Sequence, residues 1–566
     1  MRPGQIQDEA LLNSTRPPFF GPLNSMGSIL SLALLAVLLL SASSSSSAVR
    51  RYLPEDSATP ANIVAACKAS RDPPYCERAL TQSGQLPPNA TALQILRSVL
   101  NLTSRHLDTA ESQVKDILAG STGNLNLTRA ANNSLESIGY SRYRVGLTDR
   151  YGLDGDKIKD GRAWLSAALA NQYGSWSSFS LVNDTAKVVN TMAFINDTLI
   201  PITSAGLSML ANYDVYRENT ALWGPPTTER NGYWEPADES GLDFDGGVPK
   251  DLTPNVTVCG GGGCDYRTVQ EAVDAAPDRK PTERFVIRIK AGVYNETVRV
   301  PLYKFNVVFL GDGMGKTVIT GSLKVGQPEM TTTESATVGV LGDGFMASNL
   351  TFENTGVGSQ AVAFRSDSDH TVVETCEFRG NQDTLYAKSL RQYYKSCRIQ
   401  GNVDFIFGNA AAFFKNSEIL IVPRAVDPEK GENNAVTAHG RVDPAQTTGF
   451  VFHNCSVNGT EEYLKLYYKN PKVHKNYLGR PWKEYSRTVF IGSRFEVILS
   501  KEGWLPWKDD FALSTLYYGE LENTGGGGST AGRVNWSSII PEHHVNSYSV
   551  HNFIQGDGWI PPPKST

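Results

Sequence analysis

The spacing of apolar residues changes part-way along this chain of 566 residues. In the N-terminal part they recur at steps of three, four and seven, as at Leu93, Leu96, Leu100 and Leu107. This spacing places apolar side chains on one face of a helix, and Thr91 is a suitable N-cap. Several such segments joined by short polar connections predict an all-α four-helix bundle over residues 55–220.

Beyond the bundle, residues 221–252 are rich in Pro, Gly and acidic side chains, and we predict a linker there. From residue 253 to residue 566 the apolar runs become short. They are rich in β-branched and aromatic residues and end at Gly or Asp, as in RFVIRIKAGVY, NVVFLGDG and ATVGVLGDG. Such runs are typical of β-strands separated by tight turns.

A weak internal repeat runs through this C-terminal part, in the segments MASNLTFEN, VVETCEFRGN, YYKSCRIQGN, FFKNSEILIV and VFHNCSVNG. Cys376, Cys397 and Ser417 occupy equivalent places, at steps of 21 and 20 residues. A fixed repeat of about 20 residues indicates a solenoid. Because no helical pattern is interleaved, we predict an all-β right-handed parallel β-helix over residues 253–566.

One repeat then corresponds to one coil, and coils stack at the strand spacing of about 4.8 Å. Residues 21 positions apart should therefore lie above one another. Tyr386 and Phe407 share this spacing, and we predict that their rings stack. Cys376 and Cys397 share it too, and we predict a disulfide between them.

Asp383 and Asp404 are also 21 positions apart. Two carboxylates held on adjacent coils repel, so one can keep its proton as a general acid while the other stays an anion that acts as nucleophile or base. Gln360 and Gln382, one coil apart, offer amide N–H donors to a developing oxyanion. This geometry alone leaves glycoside hydrolysis, ester hydrolysis and a purely structural role open.

Composition and charge change this picture little: charged residues make up 20% and the net charge is −5. These values favour neither a nucleic-acid partner nor a disordered chain. The apolar run Ile29–Leu40 is shorter than the ~20 residues that a spanning helix needs. We therefore predict a signal region at residues 1–48 and a secreted protein, with an uncleaved anchor as the alternative.

Glycosylation sequons support secretion, and they occur among other places at Asn89, Asn101, Asn126, Asn183, Asn196, Asn255, Asn349 and Asn535. In a secreted protein the seven cysteines favour disulfides over metal binding, and none has zinc-site spacing with His. Cys259 and Cys264 would close the short CGGGGC loop.

Five motifs occur in order: GVYNE, QAVAFR, GNQDTLY, DFIFGNAA and LGRPW. With them the C-terminal part resembles the plant pectin methylesterases, or pectinesterases. The N-terminal part, with Cys67 and Cys76 nine positions apart and AWLSAAL further on, resembles the pectin methylesterase inhibitor domain that precedes many of these enzymes.

The resemblance implies a role for each matching residue. Asp404 matches the nucleophile and Asp383 the general acid of an aspartyl esterase. Gln360 and Gln382 match the amides that stabilise the oxyanion, and Arg480 matches the guanidinium that holds the nucleophilic carboxylate.

Four aromatic residues, together with Gln360, match positions that bind the sugar: Tyr386, Phe407, Trp482 and Trp504. The implied reaction removes C6 methyl esters from homogalacturonan pectin, giving pectate and methanol in the cell wall without a cofactor or metal. Thr333 departs from the pattern, because many relatives carry Phe there.

The implied partners are pectin and an inhibitor, either a separate protein or the chain's own bundle, which would be autoinhibitory. The resemblance also implies a Cys67–Cys76 disulfide. It further suggests that Ser134 and Ser175 are neighbours where relatives have a second bridge. Two other functions stay open: a β-helix glycosidase or lyase that cleaves pectin, and a non-catalytic inhibitory or binding protein.

Overall fold

The computed structural model describes residues 59–84, 86–182, 185–280, 282–328 and 330–563. The predicted signal region at residues 1–48 and the sequon at Asn183 lie outside the described residues. Within the described ranges, no helix combines the length and apolar character needed to cross a membrane.

The N-terminal part is helical, as predicted. Its α-helices are α1 (Ala61–Cys67), α2 (Pro73–Ser83), α3 (Ala92–Ala119), α4 (Leu125–Tyr151), α5 (Ile158–Ser177), α6 (Ala186–Phe194) and α7 (Ile200–Tyr216). A single π-helical turn, Ile195–Leu199, joins α6 to α7, so that α3, α4, α5 and the α6–α7 pair make the four long helices of the bundle. Thr91 caps α3 in a reciprocal capping box with Gln94.

Two predictions about pairs within the bundle are confirmed. Cys67 and Cys76 form a disulfide. The hydroxyl groups of Ser134 on α4 and Ser175 on α5 are hydrogen-bonded at 2.6 Å, and both residues are fully buried. This hydrogen bond joins the two helices at the positions where the resemblance suggests a second bridge in relatives.

The C-terminal part contains three parallel sheets. The first has eleven strands: β1 (Val256–Val258), β2 (Phe285–Ile289), β5 (Val307–Leu310), β8 (Met346–Ser348), β11 (Thr371–Glu374), β14 (Arg391–Lys395), β17 (Ala411–Lys415), β20 (Gly449–His453), β23 (Arg487–Ile491), β25 (Tyr517–Leu521) and β26 (Ser538–Ile539).

The second sheet, which carries the candidate site, has seven strands: β4 (Val298–Val300), β7 (Val338–Val340), β10 (Phe364–Ser366), β13 (Leu385–Ala387), β16 (Val403–Gly408), β19 (Asn433–His439) and β22 (Lys475–Gly479). The third has eight: β3 (Gly292–Asn295), β6 (Thr317–Gly321), β9 (Thr351–Asn354), β12 (Glu377–Arg379), β15 (Arg398–Gly401), β18 (Glu418–Ile421), β21 (Ser456–Gly459) and β24 (Arg494–Phe495).

Short helices complete this part: α8 (Val269–Asp274), α9 (Glu461–Lys469) and α10 (Val550–Ile554). Short 3₁₀ turns lie at Gly155–Lys157, Thr220–Leu222, Glu229–Asn231, Pro428–Lys430, Glu542–Tyr548 and Gly556–Gly558.

Each full coil gives one strand to each sheet, which confirms the predicted parallel β-helix. Inside the coils, rings stack from one coil to the next: Tyr394 on Phe414 at 4.8 Å, Phe414 on Phe452 at 4.5 Å and Phe452 on Phe490 at 4.3 Å. The turn between the first and third sheets explains the sequence repeat. One residue of that turn has a left-handed backbone in each repeat, with φ between 51° and 61°: Asn349, Thr375, Ser396, Asn416 and Asn454.

The predicted disulfide between Cys376 and Cys397 is wrong. The two residues do lie on adjacent coils, because the next residues, Glu377 and Arg398, are paired in register. Both thiols are nevertheless unpaired and buried. Side chains at equivalent places of adjacent parallel coils point the same way and remain about 4.8 Å apart, whereas a disulfide needs Cβ atoms about 3.5–4.5 Å apart.

The other disulfide predicted in the C-terminal part is confirmed. Cys259 and Cys264 form the expected short bridge, and Cys455 is unpaired. Ser417 stands in the coil between Cys397 and Cys455 and donates its hydroxyl to the Lys415 carbonyl at 3.0 Å. Burial raises the pKa of the Cys455 thiol to about 12.

The predicted linker packs along the outer face of the first sheet. Phe244 packs edge-on against Tyr393, and Trp234 packs edge-on against Tyr517. Glu229 accepts from the guanidinium of Arg487 at 2.6 Å. Apolar and charged contacts therefore both fasten the linker to the β-helix.

The bundle itself docks against the β-helix. Both terminal nitrogens of Arg144 on α4 donate to Asp343 at 2.7 Å. The indole N–H of Trp164 on α5 donates to Asp369 at 2.9 Å. These contacts lie beside the C-terminal ends of the strands of the second sheet, where Asp369 follows β10.

Candidate active site

Asp383 and Asp404 lie where the chain enters strands of the second sheet. Asp383 comes just before β13, and Asp404 lies near the start of β16. The register pairs Tyr386 with Phe407, and the amide of Asp383 donates to the carbonyl of Val403 at 3.1 Å. The two aspartates therefore occupy equivalent places on adjacent coils, as predicted.

Both aspartates have a left-handed backbone, with φ of 65° at Asp383 and 49° at Asp404. This conformation is uncommon outside glycine and is concentrated in turns and functional sites. Their side chains are nearly buried, at 7% and 4% exposure. The fold thus holds two acidic groups in one unusual geometry, one coil apart.

The carboxylate of Asp404 is bound by Arg480, which follows β22. The Nε atom donates to one oxygen at 2.8 Å and Nη2 donates to the other at 2.6 Å. The backbone of Arg480 is fixed in turn, because its amide donates to the carbonyl of Thr437 at 3.0 Å. A planar two-point contact of this kind holds a carboxylate in one orientation.

The two glutamines also lie on adjacent coils, since the amide of Ala361 donates to the carbonyl of Gln382 at 3.1 Å. Gln360 is 7% exposed. Its side-chain oxygen accepts from the hydroxyl of Ser359 at 3.0 Å. This contact occupies the oxygen of the amide, so the amide can offer its N–H group to a ligand.

Aromatic rings form a separate outward-facing cluster beside the aspartates. Tyr386 and Phe407 stack with ring centres 4.1 Å apart, as predicted, and Trp482 packs edge-on against Phe407 at 6.1 Å. Gly440 makes room for this indole, because a Cβ atom there would lie 2.8 Å from the Trp482 ring. Tyr386 and Phe407 are 8% and 4% exposed, whereas Trp482 is half-buried and offers an apolar face for a sugar ring.

The prediction for Trp504 is wrong. This residue is 1% exposed, stacks on Tyr518 at 4.2 Å inside the coils and donates to Glu520 at 3.1 Å. Trp507, three positions on, packs against the outward cluster, and its ring lies 4.3 Å from the guanidinium carbon of Arg480. The sequence WLPW shows that two tryptophans lie close together here. The path of the backbone at the end of the coil determines which of their side chains faces outward.

Thr333 joins the same cluster. Burial raises the pKa of the Tyr386 phenol above its ordinary value, and a hydrogen bond with Thr333 opposes that rise. The departure from the family pattern at Thr333 therefore places a hydroxyl beside Tyr386.

The structure thus brings together eight of the nine residues predicted for the site, and Trp507 takes the place of Trp504. The assembly contains a carboxylate fixed by a guanidinium, a second carboxyl group one coil away and two amide side chains. A fixed anion can act as a nucleophile, a neighbouring carboxyl group can supply a proton, and amide donors can stabilise an oxyanion.

Two known protein families match parts of this chain. Residues 255–557 match the pectinesterase family, and residues 61–209 match the plant invertase/pectin methylesterase inhibitor family. A probable pectinesterase/pectinesterase inhibitor from Arabidopsis thaliana (number 64) is 56% identical, over 88% of this chain and 84% of its own length.

Two further relatives cover different parts of the chain. Pectinesterase 2 from Citrus sinensis is 37% identical over 89% of this chain and 94% of its own length. The solved structure of a pectin methylesterase from carrot is 43% identical, with a TM-score of 0.52, and covers 55% of this chain and 97% of that one. From the β-helix, its candidate site and these matches together, we conclude that the chain belongs to the pectinesterase family and carries an N-terminal domain of the pectin methylesterase inhibitor family.

Proposed function

We propose that Asp404 is the nucleophile of an esterase acting on the C6 methyl esters of galacturonate units in homogalacturonan. Its carboxylate attacks the ester carbonyl carbon and forms a tetrahedral intermediate. The amide groups of Gln360 and Gln382 donate to the oxyanion. Asp383 gives its proton to the departing methanol, which leaves an acyl group on Asp404.

In the second half of the reaction, Asp383 is the base. It takes a proton from water as the water oxygen attacks the acyl carbon. The bond to Asp404 breaks, and the product leaves as a carboxylic acid, which gives its proton to the solvent and becomes the carboxylate of pectate. Asp383 then holds the proton that it will donate in the next cycle, so each turnover consumes one water and releases one methanol.

The observation that carries this assignment is the two-point contact between Arg480 and Asp404. It holds both oxygens of the Asp404 carboxylate in one orientation, as attack on an ester carbonyl requires. Asp383, on the adjacent coil, is proposed to exchange the proton. The aromatic cluster around Tyr386 and Phe407 supports a carbohydrate substrate, because sugar rings pack on such faces.

The location of such an enzyme follows from the location of its substrate. We place the protein outside the cell, in the cell wall, where methyl-esterified homogalacturonan is present. Family membership and the sequons support this location. Glycosylation and the predicted signal region remain predictions.

The bundle is proposed to be an intramolecular inhibitor of the enzyme. Arg144 and Trp164 anchor it to Asp343 and Asp369, next to the sheet that carries the site. At another edge, Arg71 lies 5.2 Å above the ring of Tyr485, close after Trp482. The bundle therefore borders the candidate cleft on two sides, a position that supports restricted access of a polymer.

The test compares methanol with newly formed reducing ends when highly methyl-esterified pectin is incubated with the full chain and with residues 253–566. We expect methanol without new reducing ends, and a higher specific activity for the shorter segment. Reducing ends without methanol would show a glycosidase or lyase. Inhibition of another pectinesterase without methanol from either form would show a non-catalytic inhibitor.

A further inference from the structure

Two cationic side chains share the outward face of the second sheet with the aromatic cluster. Arg365 on β10 is paired in register with Tyr386 on β13. Lys388 is two positions beyond Tyr386, and alternate residues of a strand face the same side. Phe364, the neighbour of Arg365, packs inside the coils, which confirms that Arg365 faces outward.

Both cations share a single carboxylate of the β-helix. The Nε atom of Arg365 donates to one oxygen of Asp367 at 2.6 Å. The ammonium group of Lys388 lies 3.1 Å from the other oxygen. The three side chains, at 5%, 20% and 7% exposure for Arg365, Lys388 and Asp367, therefore carry one net positive charge in a largely buried place.

Helix α4 of the bundle covers this cluster. Tyr140 and Arg144 line a small cavity together with Asp367, Ser389 and Leu390. The phenol of Tyr140 donates to the carboxylate of Glu136, one helical turn earlier.

The charge of Glu136 affects the pKa of both cations. Burial works against the charge of Arg365, but Asp367, Tyr140 and Glu136 more than offset it and raise the pKa of the guanidinium. Burial lowers the pKa of Lys388, and Asp367 and, more weakly, Glu136 oppose that change. The carboxylate of Glu136 in the bundle therefore attracts the two cations of the β-helix electrostatically.

One donor of the cluster remains unused. The Nη2 atom of Arg365 is buried and has no hydrogen-bond acceptor among the residues that the structure describes. Buried donors nearly always have an acceptor, and a charged donor without one costs more than a neutral one. The site thus has a net positive charge and a buried N–H donor, on Arg365, that is able to bind a further acceptor.

We propose that Arg365 and Lys388 form a carboxylate-binding subsite of the cleft, which takes the free carboxylate of a galacturonate unit that has already lost its methyl ester. This proposal rests on the proposed function. The sugar ring would pack near Tyr386 while its carboxylate reaches Arg365 and Lys388. A methyl-esterified unit has no charge to offer, so the subsite distinguishes the two states of the polymer. In the docked state Glu136 supplies the negative charge instead.

The test measures binding of two hexagalacturonates, one without methyl esters and one fully esterified, by calorimetry. Every chain in the test is full-length and carries Asp404→Asn, so that the esterified hexamer is not hydrolysed during the titration. The Glu136→Gln variant removes the competing charge, and we expect it to bind the unesterified hexamer about tenfold more tightly than the chain with Glu136 does. Adding Lys388→Gln to the Glu136→Gln variant should weaken its affinity for the unesterified hexamer about tenfold, whereas adding Lys388→Arg should leave that affinity unchanged. The affinity for the esterified hexamer should change less than about twofold in each case.

Two matched variants control for general effects of charge. Glu111→Gln removes a bundle carboxylate that pairs with Lys115 and Arg142 within the bundle. Lys465→Gln removes an exposed lysine on α9. Neither should change the affinity for the unesterified hexamer.

Equal affinities with Lys388→Gln and Lys388→Arg would overturn the proposal, as would equal losses for the two hexamers. Methanol release from esterified pectin, measured on the same chains with Asp404 intact, reports on the proposed esterase function separately. A chain that releases methanol but shows no dependence on Lys388 would refute the subsite alone.

Discussion

Arg480 contacts both carboxylate oxygens of Asp404, at 2.8 and 2.6 Å, and its own guanidinium lies under the ring of Trp507. The two residues are 76 positions apart in the chain, yet two further coils of the solenoid bring them together. This contact fixes the orientation of the Asp404 carboxylate, which occupies the place equivalent to that of Asp383 on the adjacent coil. The first two predictions follow from it.

Replacing Asp404 by Asn should lower kcat for methanol release by about 10³-fold or more while the fold stays intact. The amide keeps the shape of the side chain but cannot act as a charged nucleophile. Asp427→Asn is a matched control, because Asp427 is exposed and also has a left-handed backbone with φ of 50°. Activity above a tenth of the natural value in Asp404→Asn would exclude Asp404 as the nucleophile.

Arg480→Lys should lower kcat by about 10²-fold with a smaller effect on KM. Lysine keeps the charge but loses the planar fork that fixes the carboxylate. Arg494→Lys, at a guanidinium that is 62% exposed and paired with Glu496, should leave the kinetics unchanged. Ordinary kinetics in Arg480→Lys would show that charge alone is sufficient.

The two tryptophans of WLPW should respond differently to truncation. Trp507→Ala removes an outward ring, so it should raise KM for pectin several-fold with little loss of stability. Trp504→Ala removes a ring that is 1% exposed and should destabilise the protein by about 3–5 kcal/mol. Thermal unfolding and steady-state kinetics on both variants check this, and a reversed pattern would contradict the corrected assignment.

A double variant, Ser134→Cys/Ser175→Cys, should form a disulfide between α4 and α5. The hydroxyl groups are 2.6 Å apart and buried, so the two side chains already meet. Closing a loop of this length should stabilise the bundle by about 2–4 kcal/mol. The check is unfolding of the full chain with and without reductant, with Ser134→Cys alone as the control. An unbridged double variant would show that the backbone spacing is unsuitable.

Acid should loosen the docked bundle. Burial alone would raise the pKa of Asp369, but the Arg391 guanidinium and, more weakly, that of Arg144 on the docked bundle hold it well below its usual range. Arg391 belongs to the β-helix and stays beside Asp369 when the bundle leaves, so the part of the lowering that depends on docking comes from Arg144. A carboxyl group with a lowered pKa stabilises the native contact above its ordinary pKa of about 4 and loses that contribution as the pH falls further. We therefore expect the contact of Trp164 with Asp369 to weaken below about pH 4.

Hydrogen exchange of α5 in the full chain, followed from pH 6 to pH 3 and corrected for intrinsic rates, measures this loosening. Asp369→Asn should show weaker docking and a flatter pH dependence than the natural chain. Identical protection of α5 at both pH values in the natural chain would contradict a role for this carboxylate.

Much of the site could be predicted because it depends on the period of a solenoid. The spacing of Asp383 and Asp404 equals the length of one coil, so the sequence alone places them on adjacent coils and stacks Tyr386 on Phe407. Ser134 and Ser175 were predicted as neighbours from the resemblance to a family that has a disulfide there. These relationships follow from local repetition or from known family positions.

The errors arose where the direction of a side chain matters. Cys376 and Cys397 stack as the period requires, but parallel side chains one strand apart do not bring their sulfur atoms within bonding distance. Trp504 and Trp507 lie beyond the last regular coil, where no repeat indicates which of them faces inward. Only the packing of Trp504 on Tyr518 decided this.

The sequence by itself therefore determined the coil, the adjacent carboxylates and the family. The tertiary structure decided which aspartate is bound by Arg480 and which surface of the β-helix the bundle covers. The cluster of Arg365, Lys388 and Asp367 with Glu136 is of this second kind. Glu136 and Lys388 are separated by more than 250 residues, and their proximity depends on how two independently packed domains meet. No local pattern in the chain encodes that contact, because it arises from complementary surfaces and charges that exist only after each domain has folded.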